Sequence, residues 1–210
     1  GGTLVNAMSA LMEENGLKFL ATYPLYFGGI ALVKEPASPE DPNVPKNIKI
    51  RVPPMKAYEL EADVLGYQAT PLAFADTFTA LQTGIVEGAI GAGAEGYFSN
   101  FKDIIKYYLP LNDHFEMWYL YMNLEVWNSL SAEEQEVIQT AAKALEDKRF
   151  AEAEAETAEY EAKLEEAGIT IIRFTDEQLS NFAKISREKV WPQIKADFGE
   201  ELFDEVTGGK

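Results

Sequence analysis

The sequence predicts an α/β fold, in which short apolar strand patterns alternate with helical ones. Three observations support this prediction. Apolar residues recur at helical spacing over residues 1–15, an alternating strand pattern stands at 48–52, and a long run of good helix formers precedes a further strand pattern at 169–174. Strands that alternate with helices favour a parallel sheet.

Composition limits the possible function classes. The chain has 210 residues, with 35 acidic against 18 basic side chains and a net charge of −17. This charge argues against nucleic-acid binding, which requires a basic surface. The lack of cysteine rules out disulfides and thiol catalysis, and the single histidine, His114, rules out multi-histidine metal sites. No stretch approaches the ~20 apolar residues of a membrane span, so we expect no membrane insertion.

The sequence of the first third of the chain predicts a helix, a strand and a loop. The helix over residues 1–15 ends at a glycine, and residues 17–21 predict a short strand. Residues 22–29 form an aromatic segment without charge, in which two glycines allow close approach of backbone or ligand. Four prolines between 36 and 45 predict a surface loop.

The middle of the chain continues this alternation. Residues 48–52 predict a strand that ends at Pro53. The later patterns predict a helix at 55–65, an extended connection at 67–71, a helix at 75–83, a small-residue strand end or loop at 89–94, and a helix at 96–108.

The last part predicts one long helix between two strands. A turn at 109–114 precedes the aromatic strand 115–122. Ser131 and Glu134 match a capping box, which predicts a helix that runs to about Ala167. We then expect a strand at 169–174, a helix capped by Thr175, and an amphipathic segment at 190–206.

Arg51 is the strongest candidate for a binding residue. It lies within a strand pattern that is otherwise suited to burial, and a buried guanidinium requires a partner. The two oxygens of a ligand carboxylate would fit its planar fork. From the residues alone, a structural ion pair with a protein acid stays open, as does an outward-facing arginine on an edge strand.

Other motifs favour structural roles. The glycine-rich run 88–93 lacks the lysine and hydroxyl residue of a phosphate loop, so close packing of a strand end is the simpler interpretation. The aromatic residues between 97 and 121 favour a core, with one or two facing a cleft. His114 is most simply a polar turn residue, and the sequence shows no catalytic or metal-binding constellation.

A family resemblance rests on two motifs. Phe74–Gly88 reads F-A-D-T-F-T-A-L-Q-T-G-I-V-E-G, and Ile48–Pro53 reads I-K-I-R-V-P. Together these resemble the signature of the solute-binding proteins of TRAP transporters, the DctP-like family. The resemblance implies a periplasmic-binding-protein-like α/β fold of two lobes with a long connecting helix. Because family members begin with several βα units before the region matched here, it also implies that the N-terminal lobe is incomplete.

The resemblance implies a division of the chain between the lobes. Residues 1–114 would form mostly the second lobe, and residues 115–150 would return to the first. Residues 151–210 would supply the end of the long helix, with the C-terminal strand and helices packing on the second lobe.

The implied function is transport without catalysis. A periplasmic protein of this family captures a small carboxylate, closes its lobes around it and delivers it to the TRAP membrane subunits, with no cofactor or metal. The resemblance makes Arg51 the carboxylate anchor and places Phe74 beside the ligand. The expected ligand-binding set is Arg51, Phe74, Gly91, Met55, Phe27, Tyr97 and Trp118.

Two departures from the family pattern bear on the ligand. Gly91 stands where many members have an asparagine that helps to bind the carboxylate, and residues 26–29 lack an arginine that many members have. We therefore expect a carboxylate whose remainder is more apolar or aromatic. Two alternatives stay open: a neutral or aromatic solute with Arg51 paired internally, and a sensor or enzyme on the same fold.

Overall fold

The computed structural model describes residues 2–208 and divides into two compact units. The first unit comprises Gly1–Leu25, Met117–Glu154 and Lys195–Lys210. The second unit comprises Tyr26–Glu116 and Ala155–Ile194. The strands are β1 Leu17–Phe27, β2 Gly29–Leu32, β3 Lys49–Val52, β4 Gln68–Pro71, β5 Gly88–Ala92, β6 Tyr107–Leu109, β7 Phe115–Asn123 and β8 Thr170–Ile171. The α-helices are α1 Thr3–Glu14, α2 Lys56–Val64, α3 Thr77–Gln82, α4 Ala94–Phe101, α5 Leu124–Ser129, α6 Ala132–Glu166, α7 Asp176–Lys189, α8 Trp191–Phe198 and α9 Glu200–Thr207.

The main sheet is mixed rather than parallel. Its strand order is β4-β3-β5-β2-β6-β8, and β1 and β7 form a separate two-stranded sheet. Strand β3 runs parallel to β4 and β5, and β6 runs parallel to β8, whereas β2 is antiparallel to both of its neighbours. The predicted α/β class is confirmed, but the expected parallel sheet is interrupted at β2. A loop, not a crossover helix, follows β2, so the βα repeat that parallel pairing requires is absent there.

The sheet of the second unit is buried on both faces. Neighbouring residues of a strand point to opposite faces, so Ala89 joins one core cluster and Ile90 joins the other. The first cluster packs against Leu81, Phe101 and Leu164 from α3, α4 and the end of α6. The second cluster includes Phe182 of α7. This double coverage holds β3 and β5 in the interior.

The first unit joins segments that are distant in the sequence. Thr3 at the start of α1 donates a hydrogen bond of 3.1 Å to Glu205 of α9. In the same unit, Leu20 and Ala21 of β1 form a small core with Ala142 of α6. Residues 1–25 and 195–210 group with 117–154 in this compact unit. The assignment of lobes itself stays a prediction.

Several element boundaries differ from the predicted ones. The expected helix 96–108 ends at Phe101, and Tyr107–Leu109 forms β6, because Tyr108 and Leu109 pair with β2 and are buried on the sheet. The extended connection at 67–71 is the edge strand β4, and the strand begun at Leu17 continues to Phe27. The strand expected at 169–174 shortens to Thr170–Ile171. Residues 190–206 divide between α8 and α9.

Both predicted helix caps are present. The backbone amide of Ser131 donates to Glu134 Oε2 at 2.8 Å, and the amide of Glu134 donates to Ser131 Oγ at 3.3 Å. Thr175 and Gln178 form the corresponding box at α7. Between residues 2 and 208, the helices lack the combination of length and apolar character that crossing a membrane requires.

Candidate functional site

The carboxyl ends of three parallel strands meet at one edge of the main sheet. Arg51 of β3 is paired with Thr70 of β4 and with Ala89 of β5. The chain leaves these strands at Pro53, Leu72 and Gly93, so three loops converge at this edge. Ligands of open α/β sheets bind outside the carboxyl ends of the strands. This edge is therefore the candidate site.

Arg51 is buried at this edge and is held by backbone carbonyls. Only 4% of the surface of Arg51 is exposed. The Nε atom donates to Leu72 O at 2.8 Å, and Nη1 donates to Ile90 O at 3.2 Å. Among the described residues, Nη2 makes no hydrogen bond and no Asp or Glu forms an ion pair with the guanidinium. Neither structural alternative is found, because β3 is an interior strand and the side chain has no acidic partner.

Burial sets the electrostatics of this arginine. Desolvation lowers the pKa of Arg51, while the neighbouring Tyr97, Tyr58 and Tyr26 act in the opposite direction. Arginine stays protonated in proteins, so the site keeps a fixed positive charge. A buried cation with an unused donor edge is a binding position for an anion.

Phe74 covers the arginine with an aromatic ring. The central guanidinium carbon lies 5.6 Å from the centroid of the Phe74 ring. That ring packs edge-on against Phe101 at 5.5 Å, which fixes its position on the core. Phe74 nevertheless remains 42% exposed, so part of its ring is available to a ligand.

Gly91 brings bare backbone close to the arginine. Its φ angle is +93°, and a Cβ atom at this position would lie 2.6 Å from Pro53 Cγ and 3.5 Å from Arg51 Nη1. A side chain here would therefore strain the backbone and collide with the proline ring. The glycine that departs from the expected family pattern thus has a structural reason in this chain.

The structure groups some of the predicted ligand-binding residues and separates others. Arg51, Phe74 and Gly91 lie together at the sheet edge. Met55 is exposed at the N-cap of α2, which follows β3, and the Phe27 carbonyl lies beside Gly93 after β5. Tyr97 is instead a core residue without exposed surface, and its hydroxyl lies 3.0 Å from Gly29 O and 2.9 Å from Ala89 O. Trp118 belongs to the other compact unit and is 61% exposed.

The sequence reasoning missed a polar and aromatic group behind the arginine. His114 Nδ1 lies 2.6 Å from Asp113 Oδ2, and the imidazole ring stands edge-on to Tyr58 at 5.4 Å and to Tyr26 at 6.2 Å. His114 Nε2 is buried and has no hydrogen-bond partner in the described part of the chain, although Glu116 Oε2 lies 3.9 Å away. His114 is therefore not a simple turn residue. The adjacent Asp-His pair beside an aromatic strand was the available signal.

The acids around His114 control its charge. Burial by itself lowers the pKa of His114, but the hydrogen bond and charge of Asp113, with smaller effects of Glu116 and Glu61, raise it above the ordinary value overall. Burial, followed by the charge of Glu116, raises the pKa of Tyr26. Burial likewise raises the pKa of Tyr58, so both tyrosines next to His114 are neutral hydrogen-bonding groups at physiological pH.

The arrangement is suited to binding rather than to bond cleavage. It provides a fixed cation, one ring face and accessible backbone at a sheet edge. Within residues 2–208, no group of three or more acidic or histidine side chains is placed to hold a metal ion.

Similarity to known proteins agrees with this geometry. The family model described as bacterial extracellular solute-binding protein, family 7 (DctP), matches residues 1–196. A solute-binding protein of Roseobacter denitrificans is 30% identical over 160 residues, which are 73% of this chain and 49% of that protein. The ectoine-binding periplasmic protein TeaA of Halomonas elongata is 29% identical over 209 residues, which are 94% of this chain and 55% of TeaA.

Solved structures share the fold. A TRAP periplasmic solute-binding protein of Haemophilus influenzae with bound L-gulonate matches with a TM-score of 0.83 and 22% identity, over 100% of this chain and 68% of that chain. A TRAP periplasmic solute-binding protein of Chromohalobacter salexigens with bound D-glucuronate matches with a TM-score of 0.85 and 22% identity, over 99% of this chain and 67% of that chain.

Family membership follows from the extent of these matches. The chain spans about half the length of the curated relatives that it matches. The family and the structural neighbours are binding proteins of transporters, not enzymes. The chain belongs to the DctP family, family 7 of the bacterial extracellular solute-binding proteins.

Proposed function

We propose that this chain is the solute-binding component of a TRAP-type transporter, which captures a small organic acid in the periplasm and delivers it to the membrane subunits. The observation that carries the proposal is the buried guanidinium of Arg51, which has a free donor edge and no acidic partner among the described residues. A ligand carboxylate would supply the missing negative charge.

The ligands of similar proteins support this class of solute. Structures of similar TRAP solute-binding proteins contain bound β-D-galacturonate, L-gulonate and pyroglutamate, each of which has a carboxylate. The carboxylate that these ligands share is the group that fits the free donor edge of Arg51.

The remainder of the site favours a small acid with an apolar part. Phe74 and Met55 offer exposed apolar surface near the sheet edge, and Gly91 offers backbone instead of an amide side chain. The expected ligand therefore has one carboxylate and an apolar or aromatic body. A neutral aromatic solute is the alternative that the same surface would accept.

Delivery would depend on closure around the ligand. In this proposal, residues 1–114 belong mostly to the second lobe, 115–150 return to the first, and 151–210 complete the long helix and pack on the second. A ligand stabilises a closed state only through contacts that the open state lacks. Arg51 would make such a contact when the carboxylate arrives.

A melting-temperature screen with a panel of organic acids tests the proposal, because a ligand that binds only the folded state raises the midpoint of thermal unfolding. We expect at least one acid to raise the melting temperature of the 210-residue chain and Arg51→Gln to abolish that rise. Arg173→Gln is the matched control, because Arg173 is an exposed arginine that already pairs with Glu161. Arg51→Lys should retain a weaker response, since lysine keeps the charge but loses the planar fork.

Two results would overturn the proposal. One is a chain that responds to no acid but responds to neutral aromatic compounds. The other is an acid response that Arg51→Gln and Arg173→Gln leave equally intact. Calorimetric titration well below the melting temperature of Arg51→Gln separates lost binding from lost stability.

A further inference from the structure

A cavity lies inside the second compact unit, lined by residues other than Arg51, Phe74 and Gly91. It has a volume of about 440 Å³ and lies between α2, α7, the start of α8 and the loop at 111–113. This volume falls within the range of small-molecule sites. Leu65, Leu179 and Phe182 supply apolar lining, and Glu61 and Asp113 supply carboxylates.

Glu61 forms no ion pair with a lysine or arginine in the described part of the chain. Ser186 Oγ donates to Glu61 Oε1 at 2.8 Å. Its other oxygen, Oε2, accepts no hydrogen bond from the residues that the structure describes, and no lysine or arginine there forms an ion pair with it. Burial raises the pKa of Glu61 to about 7, although the hydrogen bond from Ser186 lowers it; the charge of Asp113 also raises this pKa and that of His114 lowers it. The carboxyl group therefore gains a full charge only above neutral pH or beside a cation.

Asp113 supplies a second unsatisfied acceptor. Its side chain is 3% exposed, and its Oδ2 atom lies 2.6 Å from His114 Nδ1. Its Oδ1 atom is buried and has no hydrogen-bond partner within residues 2–208. Buried carboxylate oxygens without a partner are rare in folded proteins and call for an explanation.

The one arginine that lines the cavity pairs with neither acid, and Asp113 is paired only through Oδ2, with His114. The Arg187 guanidinium lies over the ring of Trp191, at 5.7 Å from its centroid. It forms no ion pair with Glu61 or Asp113. The cavity thus combines apolar walls with acceptor atoms that lack donors, which is the complement of an amphipathic cation.

We propose that this cavity binds a small primary amine with an apolar body, whose ammonium group is held by Glu61 with Asp113 as a further acceptor. An ammonium has three donors and no acceptor, which matches these oxygens. A bare metal ion would leave the apolar walls unused, and a neutral alcohol would leave a carboxylate without a counter-charge. The net charge of −17 also favours the approach of cations.

Matched ligands test this site. The 210-residue chain is titrated above neutral pH with benzylamine and with its neutral counterpart benzyl alcohol, and the melting temperature and the indole resonance of Trp191 are followed. We expect benzylamine to raise the midpoint and shift the resonance, and benzyl alcohol to do neither. Glu61→Gln should weaken the binding of benzylamine by about tenfold or more, because the substitution removes a charge-assisted hydrogen bond. Glu188→Gln is the control, since Glu188 is an exposed acid on α7 that pairs with Lys184.

Three results would contradict the proposed amine site. These are an equal response to amine and alcohol, no response to benzylamine, or an undiminished response in Glu61→Gln. If Glu61→Gln does not fold, the pH series of the wild-type chain decides, because protons compete with the amine for Glu61. Affinity should then fall as the pH drops below 7, and a constant affinity contradicts the site. Arg51→Gln should leave the amine response intact, which separates this test from that of the organic-acid site.

Discussion

The guanidinium of Arg51 lies over the ring of Phe74, with 5.6 Å between the guanidinium carbon and the ring centroid. Two backbone carbonyls hold the Nε and Nη1 atoms of the arginine, so the cation is fixed before any ligand arrives. Such preorganisation reduces the entropy lost on binding. The pairing makes Phe74 a second contributor to the proposed acid site, after the arginine.

Phe74→Ala should weaken the binding of organic acids by about threefold to thirtyfold, since a cation–π contact and apolar surface are lost. Phe78→Ala is the control, because Phe74 and Phe78 are each 42% exposed. Affinities come from calorimetric titration with an acid identified in the thermal screen. Equal affinities of the two variants would contradict a ligand contact by Phe74.

Gly91→Ala should destabilise the fold more than Gly84→Ala does. Both glycines have positive φ, +93° and +73°, so alanine adds about 1–2 kcal/mol of backbone strain at either position. Only at Gly91 does the new Cβ meet a neighbour, Pro53 Cγ at 2.6 Å, whereas nothing lies within 4 Å at Gly84. We expect a further loss of about 1–3 kcal/mol for Gly91→Ala.

Urea unfolding of the two glycine variants measures this difference. The organic-acid response of Gly91→Ala should also decline, because the added carbon lies 3.5 Å from Arg51 Nη1. Equal stabilities would show that Pro53 moves aside without cost, and the close approach would then not constrain the site.

Sequence reasoning predicted the features that depend on local motifs and, through the family resemblance, candidate binding residues whose role stays a prediction. The strand I-K-I-R-V-P and the segment that begins at Phe74 predicted Arg51, Phe74 and Gly91, and β3, β5 and the loop after β4 bring these three together. The predicted α/β class and both capping boxes are also confirmed. Such features depend on neighbouring residues and can be found without knowledge of tertiary packing.

The missed features depend on contacts between distant segments. The tyrosine-rich end of the expected helix 96–108 becomes β6 only because β2 offers a pairing edge. The ring of His114 meets Tyr58, which is 56 positions earlier in the chain, and no local pattern indicates that contact. Aromatic composition alone did not distinguish Tyr97 in the core from residues at a surface.

Stability should depend on pH through Glu61. Its pKa rises from 4.5 to about 7 on folding, so between these values the folded chain binds more protons than the unfolded chain. The contribution of Glu61 to stability therefore falls as the pH rises from about 4.5 through 7, by about 3 kcal/mol in total. Glu61→Gln should remove this decline and be the more stable protein above pH 7, and Glu188→Gln should keep the wild-type profile. Denaturant unfolding across this pH range measures both, and parallel wild-type and Glu61→Gln curves would contradict the prediction.

Asp113→Asn should lower the pKa of His114. The charge and hydrogen bond of Asp113 oppose the effect of burial, so their removal leaves burial dominant. Because His114 is the only histidine, its imidazole gives a single set of proton resonances whose titration reports the pKa directly. Glu116→Gln should have a smaller effect, since Glu116 Oε2 lies 3.9 Å from Nε2.

The raised pKa of His114 also predicts how its contribution to stability changes with pH. The protonated histidine stabilises the fold fully below its unfolded pKa, and this contribution is lost as the pH rises through the higher folded pKa. In Asp113→Asn burial is dominant, so the sign reverses: protonation of His114 then destabilises the fold, and stability recovers as the pH rises from the lowered folded pKa to the unfolded pKa. An unchanged His114 titration in that variant would mean that the Asp113 contact does not persist in solution.

Tyr97→Phe tests whether Tyr97 has a structural role rather than a ligand-binding one. Its hydroxyl lies 2.9 Å from Ala89 O and 3.0 Å from Gly29 O, and the residue has no exposed surface. Removal of the hydroxyl should cost about 1–2 kcal/mol and leave organic-acid affinity unchanged. Tyr108→Phe is the matched control, because the buried Tyr108 hydroxyl makes no well-formed hydrogen bond to the described residues and has only the Ala94 amide near it, so its loss should cost less than that of the Tyr97 hydroxyl. A weaker acid affinity at unchanged stability in Tyr97→Phe would instead return Tyr97 to the ligand site, because a residue confined to the core acts on a ligand only through the fold that it supports.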